Sequence, residues 1–404
     1  MTQEEFEVLA SGAYESLLQD NLDQDPAQFA LYQKENFFPP SVLATQLKYL
    51  QKSREKLPTF FENHCLFLPK AFEQASSEET AINRSYQGET CLDLTCGLGV
   101  DTLHFSKKFD RVVALESDPL LAQITQHNLQ KLSISNVKLL NQRAEDFLSQ
   151  PSEWTFDLIY VDPDRRTHAG KRAIRLEDCQ PNVLELLPIL CQRGKCILIK
   201  ASPMLDLTEA IRTFPSLQKL SVVSVKNEVK EVLLELGPSA PKELIREIQV
   251  IRRSEFQAFH FSESFLKELV GNPANPEMKY IYEPDVAFYK ARCTVPLFTR
   301  YFAGLAGEMN HPEGYFFSND LEDPALFPGR VFERISTLSP QNSKLKRYLK
   351  GLGTKQIHVG KRHFPETAVK ISRKLSLVAG GKEHLLFTEF PGRDFRAFHV
   401  RRLG

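Results

Sequence analysis

A short segment of this chain combines acidic residues and glycines directly after an apolar stretch. Asp93 follows the apolar run, Gly97 and Gly99 are separated by one residue, and Asp101 comes next. Gly97 supplies backbone angles that other residues resist, and Gly99 lets a ligand approach the main chain closely. A second apolar stretch ends on Glu116, where a carboxylate can accept hydrogen bonds from ribose hydroxyls. The pattern predicts a nucleotide or nucleoside site at the carboxyl edge of an open α/β sheet.

The kind of ligand is indicated by a glycine that is missing. The dinucleotide-binding fingerprint has a third glycine, which permits close helix–strand packing beside a bound pyrophosphate. Asp101 and Thr102 stand there instead, and an acidic residue suits a ligand with a cationic amino group and no phosphate. S-adenosylmethionine, which carries a sulfonium and an α-amino group, is such a ligand. We therefore expect S-adenosylmethionine as the cofactor, with an ordinary strand–helix turn as the alternative.

A second acidic strand end predicts the reacting group. The fourth strand candidate ends on Asp162, and Pro163 follows it. Because ligands bind at the carboxyl ends of strands in such sheets, Asp162 should face the crevice, while Pro163 presents a carbonyl without an N–H. A carboxylate beside a carbonyl can accept both hydrogens of an exocyclic amine, which holds the nitrogen lone pair towards a methyl donor. A solvent-side turn is the alternative for this pair of candidate catalytic residues.

The stretch between the third and fourth strand candidates contains Ala144, Glu145 and Asp146. In an adenosine pocket, a backbone N–H here and a nearby carboxylate can address the edge of the adenine ring. Asp146 could equally be the N-cap of a short helix, since aspartate accepts hydrogen bonds from the first backbone amides of helices. Both interpretations stay open on the sequence alone.

The loop after Pro163 is strongly basic. It contains Arg165, Arg166 and Arg172, and arginine side chains beside a methyl-transfer site can bind phosphates or read the edge of guanine. We expect these three residues to bind the substrate. A solvated loop is the alternative.

The elements that must position these residues alternate between strands and helices from residue 90 to about 237. The strand candidates are 90–94, 111–116, 137–141, 157–162, 195–200, 219–225 and 230–236. Five repeating βα units followed by an antiparallel pair at the sheet edge favour a Rossmann-like, doubly wound sheet of seven strands. Before them, residues 1–87 show helical periodicity and no strand signal. After them, the segment 238–336 is predicted to form a small α+β domain.

Composition limits the remaining possibilities. A chain of 404 residues is too long for one hydrophobic core. No apolar run approaches the roughly 18 residues of a membrane span, and the N-terminus does not resemble a secretory signal. The seven cysteines are scattered and the histidines are not clustered, so we expect reduced cysteines, no metal and a cytoplasmic protein. The oligomeric state is not predicted.

The zero net charge hides an uneven distribution. Residues 1–40 carry eight Asp/Glu and one Lys, whereas residues 331–404 carry sixteen Lys/Arg and five Asp/Glu, an excess of eleven. A basic terminal module on a neutral chain is typical of nucleic-acid binding. We expect RNA as the partner of the segment 337–404, and a solvated cationic surface is the alternative.

Four stretches, in this order and spacing, resemble class I (Rossmann-like) S-adenosylmethionine-dependent methyltransferases: Asp93–Asp101, Glu116, Ala144–Asp146 and Asp162–Arg166. The Asp-Pro-Asp-Arg-Arg sequence more narrowly resembles a bacterial family with a THUMP-like C-terminal domain. That resemblance implies a helical N-terminal domain, a methyltransferase domain, a ferredoxin-like domain and a basic THUMP-like domain. We assign them to residues 1–87, 88–237, 238–336 and 337–404.

The resemblance also implies roles for individual residues. Glu116 would bind the ribose, the stretch from Asp93 through Thr95 to Gly99 the amino-acid end, and the Ala144–Asp146 turn the adenine. One departure concerns the substrate, because base amino-methyltransferases typically have Asp-Pro-Pro followed by an aromatic residue that stacks on the flipped base. Here Asp164 and Arg165 take those two positions.

The sequence therefore predicts an S-adenosylmethionine-dependent methyltransferase for a base in structured RNA, such as tRNA or rRNA. Folded RNA suits a separate binding module, because it is recognised by shape and by splayed-out bases. Two alternatives remain. One is a methyltransferase for a protein or small molecule, and the other is a non-catalytic RNA-binding protein that keeps the cofactor site.

Overall fold

A computed structural model describes residues 1–32, 38–151, 153–164, 176–252, 255–267, 275–305, 308–309 and 311–404. The chain divides into two compact units. The first comprises residues 1–219 and 231–242, and the second comprises residues 220–230 and 243–404. The finer division into four domains stays a prediction.

The first 87 residues form helices, turns and loops wherever they are described. The helices are α1 (Gln3–Ala10), α2 (Glu15–Asp20), α3 (Pro26–Tyr32), α4 (Pro40–Lys56), α5 (Pro58–Glu62), α6 (Pro69–Gln74) and α7 (Glu78–Ala81). Proline occupies the first turn of α4, α5 and α6, where its missing N–H costs nothing. Phe60 and Phe67 are fully buried and pack with Leu98, Val100 and Leu103 of the segment after the first strand. The helical region thus shares a hydrophobic core with the segment that holds the glycine turn.

The alternating region begins with parallel βα units. Its elements are β1 (Gly88–Asp93), α8 (Val100–Ser106), β2 (Phe109–Glu116), α9 (Pro119–Lys131), β3 (Val137–Asn141), α10 (Ala144–Ser149), β4 (Phe156–Val161), a 3₁₀ turn (Leu176–Asp178), α11 (Val183–Arg193), β5 (Gly194–Ala201), α12 (Leu207–Thr213), β6 (Leu217–Val225) and β7 (Glu228–Leu236). Strands β1 to β5 pair in parallel, and β7 pairs antiparallel with β5. The predicted α/β class and all seven strand candidates are confirmed.

The predicted number of strands in this sheet is wrong. Two further strands, β8 (Ile245–Arg252) and β9 (Glu255–Ser262), extend it, so the order is β3-β2-β1-β4-β5-β7-β6-β8-β9. The physical reason lies in β6, whose last six residues are all buried. Such a strand would expose a long row of unpaired backbone groups at a sheet edge. Pairing with β8 removes that edge.

The rest of the second unit contains a second sheet. Its elements are α13 (Glu263–Lys267), β10 (Tyr280–Pro284), α14 (Val286–Ala291), α15 (Thr294–Tyr301), β11 (Glu308–Met309), β12 (Phe316–Ser318), β13 (Gly329–Leu338), α16 (Asn342–Leu352), β14 (His358–Lys361), α17 (Ala368–Leu375), β15 (Glu383–Phe390) and β16 (Asp394–Leu403). The strand order is β11-β12-β10-β13-β16-β15-β14. The predicted boundary after residue 336 falls inside β13, which pairs with both β10 and β16. One sheet therefore draws strands from both predicted C-terminal domains.

Candidate functional site

The glycine turn connects β1 to α8 as predicted. Gly97 and Gly99 have φ angles of +56° and +80°, which residues with a side chain rarely adopt. A Cβ added to Gly99 would lie 3.0 Å from Cγ2 of Thr125, whereas one added to Gly97 would meet no described atom within 4 Å. Gly99 is therefore packed tightly against Thr125, and Gly97 faces open space that a ligand can enter.

Glu116 ends β2 directly beside this turn. Its Oε2 accepts a hydrogen bond from the N–H of Gly97 at 3.0 Å, and its Oε1 accepts one from the N–H of Asp118 at 2.8 Å. Burial raises the pKa of this carboxyl, although these two backbone donors oppose the shift. The structure thus brings together the two glycines and the acidic residue that the sequence selected as a nucleoside site.

The third predicted stretch begins α10. Ala144 is buried, Glu145 lies 3.4 Å from Nε of Arg143 in an ion pair, and Asp146 is exposed. The helix starts at Ala144 with Arg143 as its N-cap residue. The alternative in which Asp146 caps the helix is therefore wrong, because Asp146 already lies inside the first turn. Its predicted contact with adenine stays a prediction.

Asp162 follows the last residue of β4 and is connected to the glycine turn. Its backbone N–H donates to Oγ1 of Thr95 at 2.7 Å. Pro163 is buried, and the next residue, Asp164, exchanges two backbone hydrogen bonds with Gln180. Because β1 and β4 are paired parallel neighbours, their carboxyl ends place Asp93 and Asp162 at the same edge of the sheet.

The Asp162 side chain forms an ion pair whose partner the sequence did not identify. Nζ of Lys200 lies 2.6 Å from Oδ2 of Asp162 and 2.8 Å from Oγ of Ser76. Lys200 stands near the end of β5 and is only 8% exposed. Lys200 is the last residue of the strand candidate 195–200, and the sequence predicted no role for it.

Asp101 has a different environment from the one expected of a direct ligand for the cofactor's amino group. Its Oδ1 accepts from Nε of Arg84 at 2.7 Å, and its Oδ2 accepts from Ser76 at 2.7 Å and from the hydroxyl of Tyr160 at 3.1 Å. Burial alone would raise its pKa, but Arg84 and Lys200 lower it to about 2. Asp101 is therefore a buried anion whose two oxygens already have protein partners.

Arg84 and Glu231 are residues that sequence reasoning missed. Nη1 of Arg84 lies 2.6 Å from Oε1 of Glu231 on β7, and both residues are almost completely buried. Arg84 lies in a loop before β1, and Glu231 directly precedes an apolar run of β7. A charged residue next to an apolar strand segment was the only signal, and it did not indicate the partner. A continuous series of hydrogen bonds thus runs from Asp162 to Glu231. In order, its members are Asp162, Lys200, Ser76, Asp101, Arg84 and Glu231.

Asp93 is fully buried and behaves differently from Asp101. Its oxygens accept hydrogen bonds from the N–H of Thr95 at 3.0 Å and from the hydroxyl of Thr102 at 2.6 Å. Burial raises its pKa to about 7, and the two threonine donors only partly oppose this shift. Near neutral pH, the carboxyl group at the end of β1 is therefore present in both its protonated and its ionised form.

One further prediction concerns the basic residues that follow Pro163 in the sequence. The predicted substrate-binding residues Arg165, Arg166 and Arg172 lie outside the described residues.

In the second unit, the fold brings together side chains of the kind that bind metals. The potential ligand atoms of His311, Glu313 and His363 lie within 4.8 Å of one another, and the spacing of these residues in the sequence did not reveal the cluster. Nδ1 of His311 accepts a hydrogen bond from the N–H of Glu313 at 3.0 Å.

Among the described helices, none combines the length and the apolar character needed to cross a bilayer.

Comparisons with known proteins agree with the fold. A family model described as "Conserved hypothetical protein 95" matches residues 73–180, which contain all four predicted stretches. The crystal structure of a candidate methyltransferase from Porphyromonas gingivalis W83 has a TM-score of 0.82 and 26% sequence identity, and the match covers 97% of this chain and 98% of that one. This chain therefore shares its α/β fold with that protein over nearly the whole length of both.

A curated relative matches over a shorter region. The 23S rRNA (uracil(1939)-C(5))-methyltransferase RlmD of Edwardsiella ictaluri (strain 93-146) is 36% identical over 85 residues, which is 20% of this chain and 19% of that protein. The chain thus spans about a fifth of the length of the curated relative that it matches.

Proposed function

We propose that this protein is an S-adenosylmethionine-dependent methyltransferase that acts on a base in structured RNA. The proposal depends on one observation: the open turn at Gly97, the carboxylate of Glu116 and the carboxylate of Asp162 lie at the carboxyl ends of parallel strands of one sheet. Ligands bind at this edge in open α/β sheets. The names of the P. gingivalis and E. ictaluri proteins support methyl transfer, and the second supports RNA as the class of substrate.

The residues at this edge suit the cofactor. Gly97 leaves space where a side chain would block the approach of a ligand, and Glu116 has a carboxylate beside that space. We assign the ribose to Glu116 and the amino-acid end to the segment from Asp93 through Thr95 to Gly99. The adenine is assigned to Ala144, Glu145 and Asp146. When bound, the cofactor supplies an electrophilic methyl group on a sulfonium.

The protein's own contribution is then positioning and electrostatics. Asp162 accepts hydrogen bonds from the attacking group of the substrate and stabilises positive charge that develops on it. Pro163 contributes a carbonyl from a backbone with no N–H to donate. Arg165, Arg166 and Arg172 are proposed to bind the substrate's phosphates or base edges, and the basic helices α16 and α17 to bind the RNA backbone.

The test incubates the purified protein with methyl-radiolabelled S-adenosylmethionine and total RNA from cells that lack the protein. We expect label in RNA and a loss of about 100-fold or more in Asp162→Ala, while Asp110→Asn, an exposed change on β2, leaves transfer unchanged. Label found only in protein or small metabolites would favour the first alternative. RNA binding without any methyl transfer would favour the non-catalytic alternative.

A further inference from the structure

Lys200 is almost completely buried, and the burial of a charged side chain needs a physical explanation. Lysine is rarely fully buried unless it is paired, because removing its charge from water is costly. Here Nζ donates to Asp162 at 2.6 Å and to Ser76 at 2.8 Å. Both contacts are to groups at the edge where the proposed reaction takes place.

We propose that Lys200 is a positioning residue that holds the Asp162 carboxylate ionised and in a fixed orientation towards the substrate. This inference rests on the proposed function, because it assigns Lys200 a role in the same site. Ser76 extends the arrangement, since its hydroxyl accepts from Lys200 and donates to Asp101. The hydrogen bonds therefore connect Asp162 to the helix that follows the glycine turn.

The hydrogen bonds to Asp162 account for the orientation of its carboxylate. Lys200 contacts only Oδ2 of Asp162, and no other described side chain donates to this carboxylate. The backbone of the same residue is held by Thr95. With one oxygen and the main chain fixed, the second oxygen, Oδ1, is left for the substrate. A displacement of about 1 Å at such a position can cost roughly 100-fold in rate, so a buried fixed partner is a substantial constraint.

The charges around Asp162 explain why a cation is needed. Asp162, Asp101 and Glu231 are three acidic groups close enough to influence one another, and Arg84 is already bonded to two of them. Burial raises the pKa of Asp162, and Asp101 and Glu231 raise it further, whereas Lys200 opposes this rise. The pKa of Lys200 is itself raised, because these carboxylates outweigh its burial. The lysine thus stays charged and favours the anionic form of Asp162.

An ion pair that merely stabilises the fold is the competing explanation, and the pH dependence of the rate separates the two. If Lys200 keeps Asp162 ionised, Lys200→Met raises the pKa of Asp162. The fall in rate on the acidic side then moves to higher pH. Among the described residues, the titratable and charged groups that act on Asp162 or on Lys200 are Asp93 on β1, Asp101 on α8, Tyr160 on β4, Glu231 on β7, Arg84 and Lys56 on α4, and all of them remain in this variant. A lost structural contact would lower the rate at every pH by a similar factor.

The experiment measures methyl transfer to total RNA between pH 5.5 and 9 for Lys200→Met, Lys200→Arg and Lys195→Met. Lys195 is the matched control, because it lies on the same strand and forms an exposed ion pair with Asp157 at 2.7 Å. We expect Lys200→Met to be roughly tenfold or more slower at pH 7, with its acidic limb shifted to higher pH and its affinity for S-adenosylhomocysteine within about twofold of wild type. Lys200→Arg should retain the wild-type pH profile, and Lys195→Met should behave as wild type. A Lys200→Met profile that falls evenly at all pH values would overturn the inference.

A second measurement does not depend on activity. Thermal unfolding of Lys200→Met, Asp162→Asn and the double variant is compared at pH 5.5 and pH 8. An unpaired, partly buried Asp162 costs stability only while it is ionised, so the single lysine variant should lose more at pH 8, about 5 °C or more, and the double variant should recover most of this loss. If wild type transfers no methyl group, the proposed function fails and this comparison alone decides whether Lys200 holds the charge of Asp162. An equal loss at both pH values, or no recovery in the double variant, refutes it.

Discussion

Two buried carboxyl groups on either side of the glycine turn show how neighbours decide the charge of a residue. Among the described residues, the hydrogen-bond donors to Asp93 are the neutral N–H of Thr95 and hydroxyl of Thr102, and burial raises the pKa of Asp93 to about 7. Asp101 is buried as well, but Arg84 contacts it at 2.7 Å and its pKa is lowered to about 2. The difference comes from a cation within hydrogen-bonding distance.

The raised pKa of Asp93 predicts a pH-dependent effect of Asp93→Asn. A carboxyl whose folded pKa lies above its unfolded value of 3.8 stabilises the protein fully below pH 3.8, and this stability is lost as the pH rises through about 7. Asparagine has the same shape without ionising: its oxygen can accept from the N–H of Thr95, and its amide N–H can donate to the hydroxyl of Thr102. We expect the variant to melt about 3 °C above wild type at pH 8.5 and to lose this advantage at pH 5.5. The measurement is thermal unfolding at both pH values.

The exposed change Asp110→Asn serves as the control and should give no pH-dependent difference. An Asp93→Asn variant that is less stable than wild type at pH 8.5 would show that Asp93 is ionised and favourably bound in the folded protein.

At this scale, the sequence predicted the acidic residues that end strands but not their partners. Glu116 and Asp162 could be found because a parallel sheet brings the carboxyl ends of its strands to one edge. Arg84 and Glu231 could not, because their contact joins a loop before β1 to a strand far along the chain. For the same reason, Asp101 was assigned to a cationic ligand, although the nearest cation belongs to the protein.

The strand–turn–helix element formed by β1 and α8 has two glycines with different physical roles. Gly99 has both a positive φ and a close neighbour, Thr125. Gly97 has a positive φ but open space around it. The sequence predicted the turn itself from its glycine spacing, but it assigned the close approach of a ligand to Gly99, whereas the structure has the open space at Gly97 and Thr125 beside Gly99.

This difference predicts that Gly97→Ala affects ligand binding more than folding. A positive φ costs an alanine about 1 to 2 kcal/mol, and the added methyl group would occupy the space proposed for the cofactor. We expect the affinity for S-adenosylhomocysteine, measured by calorimetry, to fall about tenfold or more. Gly353→Ala is the matched control, because Gly353 has a φ of +68° and open surroundings at the end of α16. If both variants bind with wild-type affinity, the cofactor does not occupy the space beside Gly97.

The sequence predicted the strands of the first sheet incompletely. The seven strand candidates are all present, but β8 and β9 lie in the segment 238–336, which was predicted to form a separate domain. Pairing between strands is a long-range property, and the local composition of a segment carries no information about it. That the described part of the chain forms nine strands in this sheet could therefore be learned only from the structure.

On the scale of the whole molecule, charge is the main asymmetry. The helices α16 and α17 bury Leu345, Leu349, Ile371 and Leu375 in one core. Their exposed faces carry seven cations and no acidic residue: Lys344, Lys346, Arg347, Lys350, Lys370, Arg373 and Lys374. Exposed cations on adjacent elements are suited to phosphate groups along a nucleic-acid backbone. The sequence predicted this basic module from counts alone, and the structure identifies two helices that display the charge.

This surface predicts salt-dependent RNA binding. Replacing Lys344, Lys346 and Lys350 with Gln removes three exposed cations while keeping good helix formers. We expect the affinity for labelled bulk tRNA to fall about tenfold or more at physiological salt, and the dependence of binding on salt concentration to become less steep. The exposed change Lys242→Gln should leave both unchanged. A triple variant with wild-type affinity and salt dependence would contradict RNA binding through α16.

The central claim is that the edge of the first sheet binds a methyl donor with Asp162 opposite its reactive carbon. The most direct measurement is a crystal structure of the protein with S-adenosylhomocysteine. Our account predicts the nucleoside beside Gly97, with its ribose hydroxyls bonded to Glu116 and its sulfur facing Asp162. A crevice that stays empty at saturating ligand, or a nucleoside that binds away from Glu116, would contradict it.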